Sequence, residues 1–323
     1  MPYNSDRQVD KTLNHNTKTK LQNGLTKAIT YFILLSCFVI LGLYAIQRFG
    51  AQYAEQKIQE QLAHSGLTEF VRYENVYFNA FTLTPSIENI SFGSKNAPWL
   101  TFARISFNSY LLKHPNLDVD FWIQQSPIDS LSTDTRRLMR AAGIDTLLGK
   151  GSFSSQEEGE DRLSQLTLDI KDVGKITFNS KITLRNKNID LSELRTDLLA
   201  SFALGQPEAM LLIYGEEIDV QSLALQYEES GLVNHLFPAS DRKQEHQTDL
   251  QDTLTLASQV FGLAPADSPE AKHIAITLEA FLNAPQQLTL SISPSSAISL
   301  KELTLLANEG SLYKNSQMAI KNN

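Results

Sequence analysis

Length, composition and charge set the first limits on this chain of 323 residues, which has a net charge of −8 at pH 7 and one cysteine. The acidic balance excludes attraction of nucleic acid or anionic lipid over the whole surface, although a local basic patch stays open. The single cysteine excludes a disulfide framework, and the length allows one large domain or two small ones.

The N-terminal part of the chain contains an uncharged stretch, Ala28 to Ile46. Its 19 residues form a helix of about 28 Å, close to the thickness of a bilayer core. We therefore predict a disordered cytoplasmic tail over 1–27 and a transmembrane helix over 28–46. A buried core helix and a cleavable signal peptide are the alternatives; the run is long for a signal peptide, and Phe49 fits a cleavage site ending at Ala51 poorly.

The residues beside the span predict its orientation. Four lysines (Lys11, Lys18, Lys20 and Lys27) precede it, and with Arg7 they outnumber Asp6 and Asp10. Since basic flanks stay in the cytoplasm, the C-terminal region is expected outside. The only cysteine, Cys37, lies in the span, so the exported region has no thiol, which favours a bacterial periplasmic domain. We predict a single-pass protein of the bacterial inner membrane.

For the chain after the span, the sequence predicts a stalk followed by one domain. Apolar residues at helical spacing predict an amphipathic stalk over 47–66 that stops near Ser65 and Gly66. We predict a periplasmic α+β domain over 67–313 and a disordered tail over 314–323. Strands are predicted around 71–73, 76–78, 81–83, 90–92 and 105–107, and by clean alternation over 117–123, 165–170 and 176–184.

The sequence of the later part of the domain predicts short strands and helices. Residues 210–214 and 223–227 read as strands, and 288–292 as another. Helices are predicted over 132–142, from Ser230 to Pro238, over 249–261 and 269–282, and from the cap Ser299 to about Ala307. The short link between 249–261 and 269–282 predicts a C-terminal helical hairpin packed on a mainly antiparallel sheet.

The sequence contains no recognisable chemical motif, so we predict no catalytic, cofactor-binding or metal-binding residues and no cofactor. Gly143 to Gly151 has the wrong spacing for a phosphate loop, and the six histidines, His235 among them, have no ligand spacing. Asp118 and Asp120 share one strand face and could present paired carboxylates, but a solvated outer face explains them better. The acidic run Glu157 to Asp161 is interpreted as a solvated loop.

The order of features resembles a known group of envelope proteins. A short tail, one anchor and a stalk lead into VRYENVYFNAFTLTPSIENISF (Val71 to Phe92) and WLTFARISFNSY (Trp99 to Tyr110). This opening resembles AsmA-like and YdgA-like bacterial envelope proteins over residues 28–125. The resemblance implies curved sheet material behind a signal anchor and carries over no functional residue. The chain is shorter than the AsmA-like pattern and turns helical near its end.

Two classes of function follow as expectations. The first is a non-enzymatic envelope protein that handles lipid or supports outer-membrane homeostasis, as the resemblance implies. The second is a scaffold or assembly factor that binds another envelope protein through a sheet edge or the helical hairpin. The expected partners are the inner membrane, through 28–46, and either phospholipid or an envelope protein, and not nucleic acid. Because their apolar stripes match in length, we expect the two hairpin helices to cover the apolar face of the sheet.

Overall fold

The fold is α+β, as predicted: one long N-terminal helix, a large antiparallel sheet and C-terminal helices. The structure is a computed structural model. It describes residues 9–323 except 95–96, 109–115, 128–135, 137–138, 141–142, 145, 187–188, 190, 205, 207–208, 237–253, 256–257, 259–261 and 266–267.

The N-terminal helix α1 is a single element, Val9–His64, of 56 residues. At 1.5 Å per residue it is about 84 Å long, so span and stalk form one continuous rod. It ends where the sequence predicts, and Gly66 follows with a φ of 70°. Residues 9–27 are helical, so the predicted disordered tail is wrong for them, and residues 1–8 lie outside the described part.

The sheet contains twelve strands in the described part of the chain, and every pairing is antiparallel. The strand order is β1-β3-β4-β5-β6-β7-β8-β9-β10-β12, with β2 paired to β3 and β11 paired to β9. The strands are β1 Val71–Arg72, β2 Asn75–Asn79, β3 Thr84–Ser94, β4 Ala97–Phe107, β5 Leu117–Pro127, β6 Thr146–Glu158, β7 Asp161–Ile170, β8 Gly174–Leu184, β9 Ile218–Glu229, β10 Gln287–Ile292, β11 Ile298–Ser299 and β12 Ala319–Asn322.

The described part of the chain after β8 contains six shorter helices. They are α2 Leu191–Ala203, α3 Ala209–Tyr214, α4 Leu232–Leu236, α5 Pro269–Asn283, α6 Leu300–Asn308 and α7 Leu312–Asn315. The caps predicted for α5 and α6 are present: Ser268 Oγ accepts a hydrogen bond from Ala271 N at 3.0 Å, and Ser299 Oγ accepts one from Glu302 N at 3.1 Å. The predicted helices over 132–142 and 249–261 lie largely outside the described residues.

Several local predictions are wrong, each for a physical reason. Residues 210–214 belong to helix α3 and not to a strand, because a short apolar run fits either element and tertiary packing decides. Phe81 and Leu83 lie in the β2–β3 turn and not in a strand. The predicted tail over 314–323 instead completes α7 and forms the edge strand β12, where Ile320 is buried.

The pleat gives the sheet one apolar and one polar face. Directly paired residues share a face, so the register Phe153–Leu166–Phe178–Leu225–Leu290 forms one apolar row across five strands. The neighbouring row on the other face is polar and consists of Ser152, Thr167, Thr177, Gln226 and Thr289.

Both ends of the apolar face are covered. At the β3–β5 end the last turns of α1 pack with the sheet in a cluster of Leu62, Leu67, Val71, Ile90, Phe92, Phe102 and Ile123. At the β10–β12 end α5 packs on it, in a cluster of Ala264, Ala271, Ile274 and Ile320. A small third cluster, Met139 and Ile144, closes the strand ends near Leu147 and Val173.

Candidate functional site

The centre of the apolar face, between its two covered ends, is the strongest candidate for a binding surface. We call it the central apolar face. It is built by strands β5 to β9, which lie side by side in one meander, so its width is about 20 Å. Its residues are Val119, Phe121, Phe153, Leu166, Leu168, Ile176, Phe178, Leu223 and Leu225.

The side chains of the central apolar face are half-buried rather than buried. None of the nine is buried, and Leu225 is 38% exposed. Toward the two ends of the same face, Phe102 is only 8% exposed and Ile320 only 4%. The centre of the apolar face is therefore less buried than its two ends.

The expected cover by the helical hairpin is only partly present in the described residues. Helix α5 packs over β10 and β12, and Phe281 makes an edge-to-face contact with Tyr227 on β9, with ring centroids 6.0 Å apart. Helix α2 brings Ala200 to the cluster at the β3–β5 end. The described cover thus lies at the two sides of the face. Cover by the first hairpin helix, 249–261, stays a prediction because that segment lies largely outside the described residues.

Two glycines on β6 shape the floor of the central apolar face. Gly151 lies between Phe121 and Leu168 in the register, and a Cβ there would lie 2.4 Å from Cζ of Phe121. The Phe121 ring therefore lies across the Gly151 backbone. Phe121 also contacts Phe102 edge to face at 5.6 Å, so it joins the covered end to the open centre.

The central apolar face ends in polar side chains along the strand direction. On β7 the residues of this face run from Leu168 and Leu166 to Ser164 and then Arg162, two positions apart each time. Ser164 Oγ donates to Ser155 Oγ at 3.1 Å, and Arg162 Nη2 lies 3.7 Å from Glu157 Oε2. The face is thus apolar in its centre and carries hydroxyl groups and an ion pair at one border.

The opposite face carries surface ion pairs and no sign of a site. Lys150 pairs with Asp169 at 4.0 Å, and Lys175 pairs with Glu228 at 3.6 Å. The Arg104 guanidinium lies 5.9 Å from the centre of the Trp122 ring. Exposed pairs of this kind contribute at most about 1 kcal/mol each, so they solvate this face rather than define a site.

The residues that the sequence offered as candidates for chemistry have structural roles. Asn108 Nδ2 donates to Asp118 at 3.3 Å and to Asp120 at 2.8 Å, which accounts for these two exposed carboxylates. Gly149 and Gly151 lie within strand β6, which is not the geometry of a phosphate loop. The His235 ring lies against Gly143. Within the described ranges no three His, Cys, Asp or Glu side chains form a group that could hold a metal ion.

Two tyrosines with shifted pKa values brace the domain. The Tyr214 hydroxyl donates to Asp197 at 2.6 Å and so ties α3 to α2; this hydrogen bond, together with burial, raises the pKa of Tyr214 to about 12. Burial, and then the hydrogen bond to Glu229 at 2.5 Å, raises the pKa of Tyr227. Glu229 also accepts from Gly231 N and Val233 N, at the start of α4. All of these contacts are internal bracing.

Sequence reasoning missed the strand that completes the central apolar face. Strand β6 contains the segment GKGSFSSQ, whose glycines and serines hide its apolar alternation. The available signal was the spacing of Gly149, Gly151 and Phe153, which lie two positions apart and therefore on one face. The predicted solvated loop over the acidic run is only partly present: residues 157–160 are exposed, but Asp161 is half-buried, and Glu157, Glu158 and Asp161 belong to strand ends around a turn at 159–160.

Comparison with family models finds one match, whose description gives no role. A family model described as "Uncharacterized protein" matches residues 167–323, which run from within β7 to the C-terminus. No curated protein matches the chain. The matched segment includes the α5 cover and the β7–β9 part of the central apolar face.

Proposed function

We propose that this protein is a non-enzymatic, membrane-anchored protein that binds lipid acyl chains on its central apolar face. The observation that carries the proposal is the half-exposed centre of the face between two covered ends. Burial of a large apolar side chain contributes about 1.5–3 kcal/mol. Nine such groups left partly in water form a patch of the kind that marks a ligand or partner surface.

The dimensions and chemistry of the face favour an acyl chain over a compact substrate. The face is a strip about 20 Å across that offers contact area but no nucleophile and no ionisable group among its nine side chains. Ser164, half-buried at its border, offers a hydroxyl to the polar end of a lipid, whereas Ser155 and Arg162 beside it are buried. The resemblance of Val71 to Phe92 to AsmA-like proteins also supports lipid handling.

The location that we propose is the bacterial inner membrane, with the N-terminus in the cytoplasm and the sheet in the periplasm. Helix α1 is long and apolar enough to span a membrane from Tyr31 onward, and no residue in its most apolar window is buried. The lysines before the span support the orientation. A C-terminal reporter that is active only outside the cytoplasm should be active; an inactive fusion in an inserted protein would contradict this topology.

The lipid proposal is tested by photo-crosslinking of the full chain in native membranes. Benzoylphenylalanine is placed at Phe178 on the central apolar face and, as a matched control, at Thr177. Adjacent strand residues point to opposite faces, so the two positions differ in face but hardly in location. Mass spectrometry of the irradiated protein should find phospholipid adducts at position 178 and not at position 177.

The same experiment separates lipid binding from the scaffold alternative. The pair Leu225 and Gln226 on β9 repeats the comparison on a second strand. An adduct with another protein at 178 and 225, without lipid, would favour a scaffold that binds through this face. Equal lipid adducts on both faces, or none on either, would overturn the proposal.

A further inference from the structure

The turn between β2 and β3 is an exposed apolar projection. This turn, Ala80 to Leu83, is called the hairpin tip here. Phe81 is 82% exposed and Leu83 is 49% exposed, so two large apolar side chains of this turn lie in the open. The chain from Asn75 to Ile87 contains no charged residue. Single apolar residues on a surface are common, but an uncharged projection with two of them points to an apolar partner.

The position of the hairpin tip follows from how β2 runs along α1. The Tyr73 side chain packs with Ile58 against one buried cluster, and the Phe78 ring lies against Gly50. Moving forward along the chain from Tyr73 to Phe78 therefore means moving backward along α1 from the region of Ile58 to Gly50. Strand β2 runs antiparallel to α1 and toward its apolar span.

The hairpin tip reaches the level at which that span begins. Phe81 lies three positions beyond Phe78 along the chain, so the hairpin extends about 6 to 10 Å beyond Phe78. The same distance along a helix is about four to six residues, from Gly50 to Ile46 or Tyr44. Ile46 is the last residue of the uncharged stretch. Phe81 and the end of the apolar span therefore lie at one height.

The backbone of the hairpin tip is already hydrogen-bonded. Asn79 Oδ1 accepts from Phe81 N at 2.9 Å and from Thr82 N at 3.3 Å, and the Asn79 carbonyl accepts from Leu83 N at 2.8 Å. Three tip amides are thus satisfied without water. This lowers the cost of moving the turn into a lipid environment, where unpaired amides are heavily penalised.

We infer that the hairpin tip inserts Phe81 and Leu83 into the interfacial layer of the phospholipid bilayer that α1 spans. Together with the contact between Phe78 and Gly50, this second attachment fixes the tilt of the sheet relative to the membrane. The inference rests on α1 as the membrane span and is independent of lipid binding by the central apolar face.

The test measures the depth of the hairpin tip in the full chain. The protein is placed in phosphatidylcholine–phosphatidylglycerol nanodiscs in a Cys37→Ser background, with one nitroxide label at Thr82→Cys. This label leaves Phe81 and Leu83 intact. Phe49→Cys on α1 is the reference at the bilayer, and Lys272→Cys on the exposed side of α5 is the reference in water. Power saturation compares the accessibility of each label to oxygen and to a water-soluble nickel chelate.

We expect the label at 82 to be more accessible to oxygen than to nickel, as at 49, and unlike at 272. In the same background, Phe81→Asp with Leu83→Asp should shift the ratio at 82 to the value at 272. A label at 82 that matches 272 in the intact tip would overturn the inference, as would an unchanged ratio in the double variant. Circular dichroism of each variant confirms folding. Lipid adducts at 178 are a separate readout, so either proposal can fail alone.

Discussion

The aromatic ring of Phe78 on β2 lies directly against the backbone of Gly50 on α1. A Cβ at Gly50 would lie 2.3 Å from Cδ1 of Phe78, and Phe78 is buried. Because α1 is continuous, this contact joins the sheet to the helix only four residues beyond the uncharged span. The domain is therefore held against helix α1 and does not hang from a loose linker.

Substitution Gly50→Leu should separate the hairpin from α1. The added side chain occupies the space of the Phe78 ring, and overpacking of this kind costs about 1–3 kcal/mol. Thermal unfolding of the full chain in detergent measures the loss. Gly42→Leu is the matched control, since nothing lies within 4 Å of a Cβ at Gly42 on the same helix.

The double variant Gly50→Leu with Phe78→Ala should recover part of that loss, because the two positions compete for one space. If the loss of stability in the double variant equals the sum of the losses in the two single variants, the direct contact is contradicted.

Substitution Gly151→Ala should destabilise the sheet and disturb the central apolar face. The new methyl group meets the Phe121 ring and the Thr167 carbonyl, at 2.4 and 2.5 Å. We expect a loss of about 1–3 kcal/mol in the free energy of unfolding and weaker lipid crosslinking at Phe178. Ser152→Ala, one residue along on the polar face, should change neither. Wild-type stability of Gly151→Ala would show that β6 is not packed as described.

The hydrogen bond between Tyr214 and Asp197 predicts a pH dependence of stability at high pH. The pKa of Tyr214 is raised from about 10 in the unfolded chain to about 12 in the folded protein. The folded state holds this proton more tightly, so the contribution is complete below pH 10 and is lost as the pH rises toward 12. Urea unfolding from pH 8 to 11.5 should show a steeper decline for the wild type than for Tyr214→Phe. Equal slopes would remove Tyr214 as the cause. The decline that remains in the variant includes the contributions of Tyr73, Tyr227 and Tyr313, whose pKa values burial also raises.

Substitution Ser268→Ala should destabilise the helix that covers one side of the apolar face. It removes the cap of α5, whose hydroxyl accepts from Ala271 N, and a lost cap costs about 1 kcal/mol. Chemical denaturation measures the change. Ser296→Ala, on an exposed residue before β11, is the control and should be neutral. If the two variants are equally stable, the cap does not contribute to α5.

Particular residues show how far sequence reasoning reaches. The alternation of Leu117, Val119, Phe121 and Ile123 predicted β5 correctly, because a strand with one apolar face has a period of two. Ser268 and Pro269 placed the start of α5, because cap chemistry is local. Residues 319–322 were mistaken for part of a tail, because a short edge strand gains its stability from pairing with β10 and not from its own composition.

The sequence by itself determined the apolar span, the α+β class, the face on which each clean strand is apolar, and the caps of the later helices. These features depend on residues close together in the chain, whose spacing has a direct physical meaning. Only the tertiary structure decided that, in the described part of the chain, the apolar face is covered at its two sides, that Phe78 packs on Gly50, and that β2 runs back along α1 toward the apolar span. Those relations join residues tens to hundreds of positions apart, and packing rather than local periodicity selects among the arrangements that the same apolar stripes allow.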